Sequence, residues 1–264
     1  MKQKRYLKVR YILLGFFALL LLLSGVFMRL GGFSTGEAAN VEAFQEYAQP
    51  VEKLTIPEGK KIIALGEATH GNREFQQLKL DVFKKMVEDY HVRAFALEGD
   101  YGGCEQVNRY IHGGEGTAQE AAAEIGFAIY RTEEMAKLIS YMREYNAGAA
   151  AGDDIRFYGF DMQRVSHAFR FLMEACMELN IDTTRLEMLV DGDKLNPALD
   201  FPTQAEILSQ VKNALRTSAA SEQVMHCADM LLQYCQLQSI PSSDGGAVRD
   251  RFMAENVKWI LQQE

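Results

Sequence analysis

Apolar and polar positions divide this chain into three regimes. The first is one apolar run, Tyr11–Met28 (YILLGFFALLLLLSGVFM), eighteen residues without a charge and preceded by five basic residues. At about 1.5 Å per helical residue it spans roughly 27 Å, close to a bilayer core of about 30 Å. The bases before it place the N-terminus in the cytoplasm. Gly36-Glu37-Ala38 offers small residues at cleavage spacing, so a cleaved signal peptide is the alternative. Signal cores run only about 7–15 residues, which favours an uncleaved anchor. Both readings export the remainder of the chain. Residues 1–10 are then a cytoplasmic basic tail and 11–30 a transmembrane anchor or signal.

The second regime, residues 31–60, is polar and punctuated by Gly31, Gly32, Gly36, Pro50 and Pro57; it predicts a linker with a short helix leading into the fold. The third, residues 61–264, alternates short apolar runs with helical stretches. Lys61–Leu65 (KIIAL) predicts a buried strand ending at Gly66. A helix comes next, with Phe75, Leu78, Val82, Phe83, Met86, Val87 and Tyr90 on one face. Ala94–Leu97 (AFAL) predicts a second strand, then glycines and a helix around Cys104–Ile111. Thr132 suits an N-cap, with Glu133 and Glu134 complementing the dipole of a helix reaching about Tyr145. Ile155–Tyr158 (IRFY) predicts a third strand, a helix covers Ser166–Leu179, and only helices are expected from Thr184 onward. The fold class is α/β: a parallel central sheet with flanking helices and a helical C-terminal lobe, preceded by one N-terminal transmembrane helix.

Charge sharpens this division. The chain carries 28 bases and 36 acids, a net charge of −8, but its first thirty residues hold six bases and no acid, leaving the rest at −14. So acidic a body argues against nucleic-acid binding. Export would let the four cysteines pair. Cys227 and Cys235 share a predicted helix, with Cα atoms about 12 Å apart, beyond disulfide reach. Cys104 with Cys176 is the remaining pairing, and free buried thiols are the alternative.

Each predicted strand runs directly into polar residues that folding does not require: Gly66-Glu67-Ala68-Thr69-His70, then Glu98-Gly99-Asp100, then Phe160-Asp161-Met162-Gln163. Loops at the carboxyl ends of parallel strands open on one side, where ligands bind, so Glu67, His70, Glu98 and Asp161 are expected to converge. Glu67 or Asp161 alone would suit a helix cap, and His70 alone an exposed helix start. Glu98, directly after an apolar strand, needs a partner. Imidazole beside carboxylates suits two chemistries: general-base hydrolysis of an ester, or a divalent metal that activates water. His91, His112, His167 and His226 fall in predicted helices or at their ends and read as packing or surface residues. Cys104 reads as inert rather than as a nucleophile. No GxxxxGKS, GxGxxG, GxSxG or HExxH segment is present.

Four segments, ALGEATHGNREFQQLK, AFALEGDYGGCEQVNRYI, FYGFDMQ and RDRFMAENVKWIL, resemble the erythromycin esterase family, in that order, from about Val41 to the last residue. The resemblance implies an α/β core and ester hydrolysis, which in named members opens the macrolactone of erythromycin-type antibiotics. It also implies a histidine that activates water without a required metal. By position, His70 matches the general base, Glu67 the carboxylate before it and Glu98 the second acid. Lys79 stands where the family carries a basic residue, usually arginine. It keeps the charge without the bidentate fork, and Arg73 is the residue that would supply what Lys79 lacks. Asp161 and Gln163 match a supporting segment. In the family, the RDR-x-MAENV helix leads into a strand ending in an HN-x-H histidine pair; this chain stops at Glu264. The expectation is therefore a C-terminally incomplete domain, in which Phe252, Met253, Val257, Ile260 and Leu261 lack their strand.

The sequence thus predicts a membrane-tethered, extracytoplasmic hydrolase of small-molecule esters that needs no cofactor. A metal-dependent hydrolase built on the same GE-x-x-H site and an inactive, binding-only remnant are the alternatives.

Overall fold

The structure is a computed structural model describing residues 45–67, 69–191 and 194–264. It divides into two compact units, Met1–Thr55 and Ile56–Glu264. In the described part of the first, Val51–Lys53 form a single 3-10 turn after Pro50. The expected anchor, residues 11–30, lies outside the described residues; among those described, no helix is long and apolar enough to cross a membrane.

The second unit begins with a correction. Lys61–Leu65 forms no strand, and Ile62 and Leu65 are 56% and 48% exposed. Apolar content does not make a strand without a backbone partner, and this segment pairs with no strand among the described residues. Helix α1 (Arg73–Tyr90) buries Val82, Phe83, Met86 and Val87, while Leu78, expected on that face, is exposed. The chain then enters strand β1 (Ala94–Asp100), which pairs in parallel with β2 (Arg156–Asp161). Both strands are longer at their carboxyl ends than the apolar runs predict, because pairing carries them through Glu98 and Asp161. The register places Phe95 beside Phe157 and Asp100 beside Asp161, with a shift between Leu97 and Asp100. Gly159 is required at that shift, since a Cβ there would stand 2.6 Å from the Gly99 carbonyl oxygen.

Among the described residues the far edge of β2 is met by side chains and by no further strand. Arg156 donates its N–H to Arg93 of the segment leading into β1, so the backbone groups of its neighbours face the other way. Asn108 bonds both the N–H and the C=O of Phe157, each at 2.8 Å, and Asn146 bonds the N–H and C=O of Ile155 at 2.6 and 2.9 Å. Each amide stands in for one rung of a β-ladder, satisfying backbone groups whose burial would otherwise cost about 1–3 kcal/mol apiece.

Between the strands run α2 (Tyr101–Ile111), α3 (Ala118–Glu124), a 3-10 turn at Ala128–Tyr130 and α4 (Glu133–Gly148). Thr132 caps α4 as expected, its hydroxyl accepting from the Met135 N–H. The glycines after β1 form the first turn of α2, and Asp100 caps it by accepting from the Gly103 N–H at 2.9 Å. Close approach explains Gly103: a Cβ there would sit 1.7 Å from the Glu124 carbonyl oxygen at the end of α3.

After β2 come α5 (Ser166–Glu178), α6 (Thr184–Glu187), α7 (Phe201–Thr217), α8 (Glu222–Gln238) and α9 (Ser242–Gln263). The expectation of helices alone is corrected by a small antiparallel hairpin, β3 (Val190–Asp191) with β4 (Lys194–Leu195). Its two-residue strands are too short for a period-2 pattern. One core joins the sheet to α1–α4, including Phe83 edge-on to Phe95 at 5.1 Å. A second joins α5–α9 around Leu172, Leu208, Leu231 and Phe252. On α9, Phe252 and Ile260 are buried, Met253 and Val257 are half-buried and Leu261 is exposed. All four cysteines are free and buried.

Candidate active site

Without a strand to present it, the Glu67 segment is held by α1. Gln76 and Lys79, one turn apart on that helix, are both buried. The Lys79 ammonium donates to Glu67 Oε2 at 2.7 Å and to Gln76 Oε1 at 3.0 Å, while the Gln76 amide donates to Glu67 Oε1 at 3.3 Å. Lysine and glutamine together thus grip both carboxylate oxygens, as a single guanidinium fork would. Arg73 does not take part; its Nε donates to Glu134 on α4 at 2.6 Å. The expectation that Arg73 would complement Lys79 is therefore corrected: from the first turn of α1 its side chain pairs with Glu134, and Gln76 fills the gap. His70 Nδ1 stands 3.6 Å from Glu67 Oε1, and the imidazole is 58% exposed. That is ion-pair range and too long for a hydrogen bond.

The second cluster lies where β1 and β2 end. Asp161 is fully buried. Arg249 of α9 grips it with a fork: Nε to Oδ1 and Nη2 to Oδ2, both 3.1 Å. The same Nη2 donates to Glu98 Oε1. Burial works against the Arg249 charge, but the bonds to Asp161 and Glu98 outweigh it and raise its pKa further, so the guanidinium stays charged. Asp161 also accepts from the Gln163 N–H at 3.2 Å. Gln163 lines a cleft of about 870 Å³ together with Arg164, Val165, Phe201 and Tyr234.

Tyr130, buried on the 3-10 turn, is within electrostatic reach of carboxylates from both clusters. Burial raises its pKa, and the charges of Glu98 and Glu67 add to the effect, so the hydroxyl remains a proton donor. The Lys79 ammonium lies 5.7 Å from its ring centre. Sequence reasoning missed Tyr130 and assigned Arg249 no role in the site. Neither has a local signal, since Arg249 meets Glu98 across 151 residues of chain.

The other histidines are occupied elsewhere. His112 meets Asp154 and His167 meets Glu124, each at 3.0 Å. His226 stacks on Trp259 at 3.8 Å and is kept neutral by burial, its pKa lowered to about 3. His91 ends α1 in a left-handed conformation. Burial pushes the Cys104 thiol far above its ordinary pKa, which removes it as a nucleophile. Among the described residues no three His, Cys, Asp or Glu side chains form a metal-binding group. The donors a metal would need are already committed to cations, Glu67 to Lys79 and Glu98 and Asp161 to Arg249, so this donor set does not fit a divalent ion.

Over 240 residues the chain is 26% identical to erythromycin esterase type II of Escherichia coli, aligning 76% of this chain and 56% of that protein. A Bacillus cereus protein of known structure superposes with a TM-score of 0.61 at 21% identity, over 74% of this chain and 52% of the other. An erythromycin esterase mutant crystallised in its open conformation gives 0.53 at 18% identity, over 78% and 59%. The two solved structures show a shared fold. The chain spans about half the length of these relatives. The sequence profile of erythromycin esterase matches residues 87–264, beginning inside α1, downstream of Glu67 and His70. With most of its length matched by that profile, the chain belongs to the erythromycin esterase family.

Proposed function

We propose that the protein hydrolyses esters, with His70 as the general base. The observation that supports this best is the Glu67–His70 pair, in which Glu67 is fixed from behind by Lys79 and Gln76. Glu67 faces Nδ1 and orients the ring, leaving Nε2 to take a proton from water. The water oxygen bonds to the ester carbonyl carbon and a tetrahedral intermediate forms. The carbon–oxygen bond to the alcohol then breaks, and the alkoxide receives the proton from His70, giving a carboxylic acid and an alcohol. Glu98, the more exposed carboxylate of the second cluster, is the second acid facing the substrate, with Asp161 and Gln163 in support. Lys79 is committed to Glu67, so its part is to orient that carboxylate.

The substrate is a small-molecule ester. A macrolide lactone is the finer proposal, and it rests on the family and on the name of the Escherichia coli relative. The apolar run at residues 11–28 would tether the domain outside the cytoplasm. The test compares wild type with His70→Gln against p-nitrophenyl esters and erythromycin, with circular dichroism to confirm the fold. Turnover that falls at least about 100-fold supports the general base; unchanged turnover overturns it. Wild type that binds these compounds without releasing product overturns the hydrolase reading in favour of a binding module.

A further inference from the structure

We infer that Arg249 is a positioning residue for Glu98, using the buried Asp161 as its fixed point; this rests on the esterase reading above. The geometry is asymmetric. Asp161 is wholly buried, Arg249 is 20% exposed at the side chain, and Glu98 is 40% exposed. A guanidinium bonded through both Nε and Nη2 to one carboxylate has its plane set by that carboxylate. Asp161 is itself held at the end of β2 by backbone pairing with Asp100 and by the Gln163 N–H. The fork therefore carries the rigidity of the sheet to Glu98, the only member of the trio with substantial access to a ligand. The register shift between Leu97 and Asp100 takes in Glu98 and Gly99, so the ladder alone leaves the Glu98 side chain poorly fixed at the point where the reaction needs it.

A purely structural role for Arg249 is the competing explanation, because Asp161 needs a countercharge. The double variant Arg249→Met/Asp161→Asn separates the two. It removes the buried charge together with its partner, restoring stability, but leaves Glu98 untied. Positioning predicts a melting temperature near that of wild type with kcat lowered at least tenfold and KM within about twofold. A structural role predicts that kcat recovers with stability, which would overturn the inference. If the double variant fails to fold, Arg249→Lys decides. One ammonium can neutralise Asp161 and keep the fold but cannot hold both carboxylates in a planar fork. Reduced kcat there supports positioning, and unchanged kcat overturns it. Wild type without turnover refutes the esterase reading separately. The tie is then judged from crystal structures of wild type and Arg249→Lys: Glu98 bonded to Arg249 in the first and rotated away in the second supports it, and an unmoved Glu98 overturns it.

Discussion

If Lys79 and Gln76 share the work of one guanidinium, Gln76 should matter only while residue 79 is lysine. Gln76→Leu removes a 3.3 Å bond to one oxygen of Glu67 and a 3.0 Å acceptor from the Lys79 ammonium, in a site where Gln76 is 4% exposed. Hydrogen bonds to charged groups contribute about 1.5–3 kcal/mol. The long bond to Glu67 and the partial exposure of that carboxylate hold the sum at about 2 kcal/mol. For a domain of this size each kcal/mol lowers the melting temperature by about 2–4 °C, so a loss of about 4–8 °C is expected. In a Lys79→Arg background the fork can reach both Glu67 oxygens without help, and Gln76→Leu should then cost less than about 0.5 kcal/mol. The coupling energy from the four proteins is therefore about 1.5 kcal/mol, measurable by urea denaturation as a double-mutant cycle. Equal losses in the two backgrounds would show that the glutamine does not complete the lysine's grip.

Asp100 and Gly103 provide two further checks. Asp100 is buried, with Oδ1 on the Gly103 N–H, and burial outweighs the backbone N–H groups around the carboxylate to raise its pKa from 3.8 to about 7. The folded state therefore binds this proton more tightly than the unfolded chain. Its contribution to stability is complete below about pH 4, is lost as pH rises towards 7, and is level above that. Asp100→Asn should flatten that part of the stability profile between about pH 4 and 8, an effect on the order of 4 kcal/mol; a profile parallel to wild type would refute it. At Gly103, substitution by alanine places a Cβ 1.7 Å from the Glu124 carbonyl oxygen. The end of α3 must move, so a melting temperature lowered by at least about 8 °C, or failure to fold, is expected on calorimetry.

How much of this was legible depended on whether the determining partner was near in sequence. The Thr132 cap and helix α5 follow from spacing and are found where spacing places them. The order strand, helices, strand was readable for β1 and β2, whose apolar runs find each other. Lys61–Leu65 is similarly apolar and has no strand partner among the described residues, a difference its own residues do not encode. The substitution of Asn108 for a rung beside Phe157 acts across 49 residues, and nothing around Asn108 announces it. Helix α3 is a different kind of omission. Thr117 and Glu120 form a capping box before an alanine-rich run, a local signal that pattern reading can use. At the site, Glu67, His70, Glu98 and Asp161 were visible as polar residues directly after apolar runs. The sequence did not show how they are held, because Gln76, Tyr130 and Arg249 become informative only once the chain is folded.

Those supporting residues also change the meaning of the acidic charge. Residues 31–264 carry a net −14, and Glu67, Glu98 and Asp161, set into such a body, would be costly if unpaired. Each carboxylate instead has a cation within bonding distance, with Lys79 serving the first and Arg249 the other two. Three negative charges against two positive leave these five side chains at −1. In the proposed reaction His70 gains a proton as negative charge develops on the substrate, so the protein groups alone reach neutrality in that step. Removing either cation should therefore harm the reaction through orientation and charge together. Replacing lysine by arginine at residue 79 preserves the charge and isolates orientation. If turnover in Lys79→Arg is within about twofold of wild type while Lys79→Met loses at least tenfold, the residue acts by holding Glu67 with a positive charge. If Lys79→Met retains full turnover in a folded protein, Glu67 needs no such hold and the two-cluster account of the site fails.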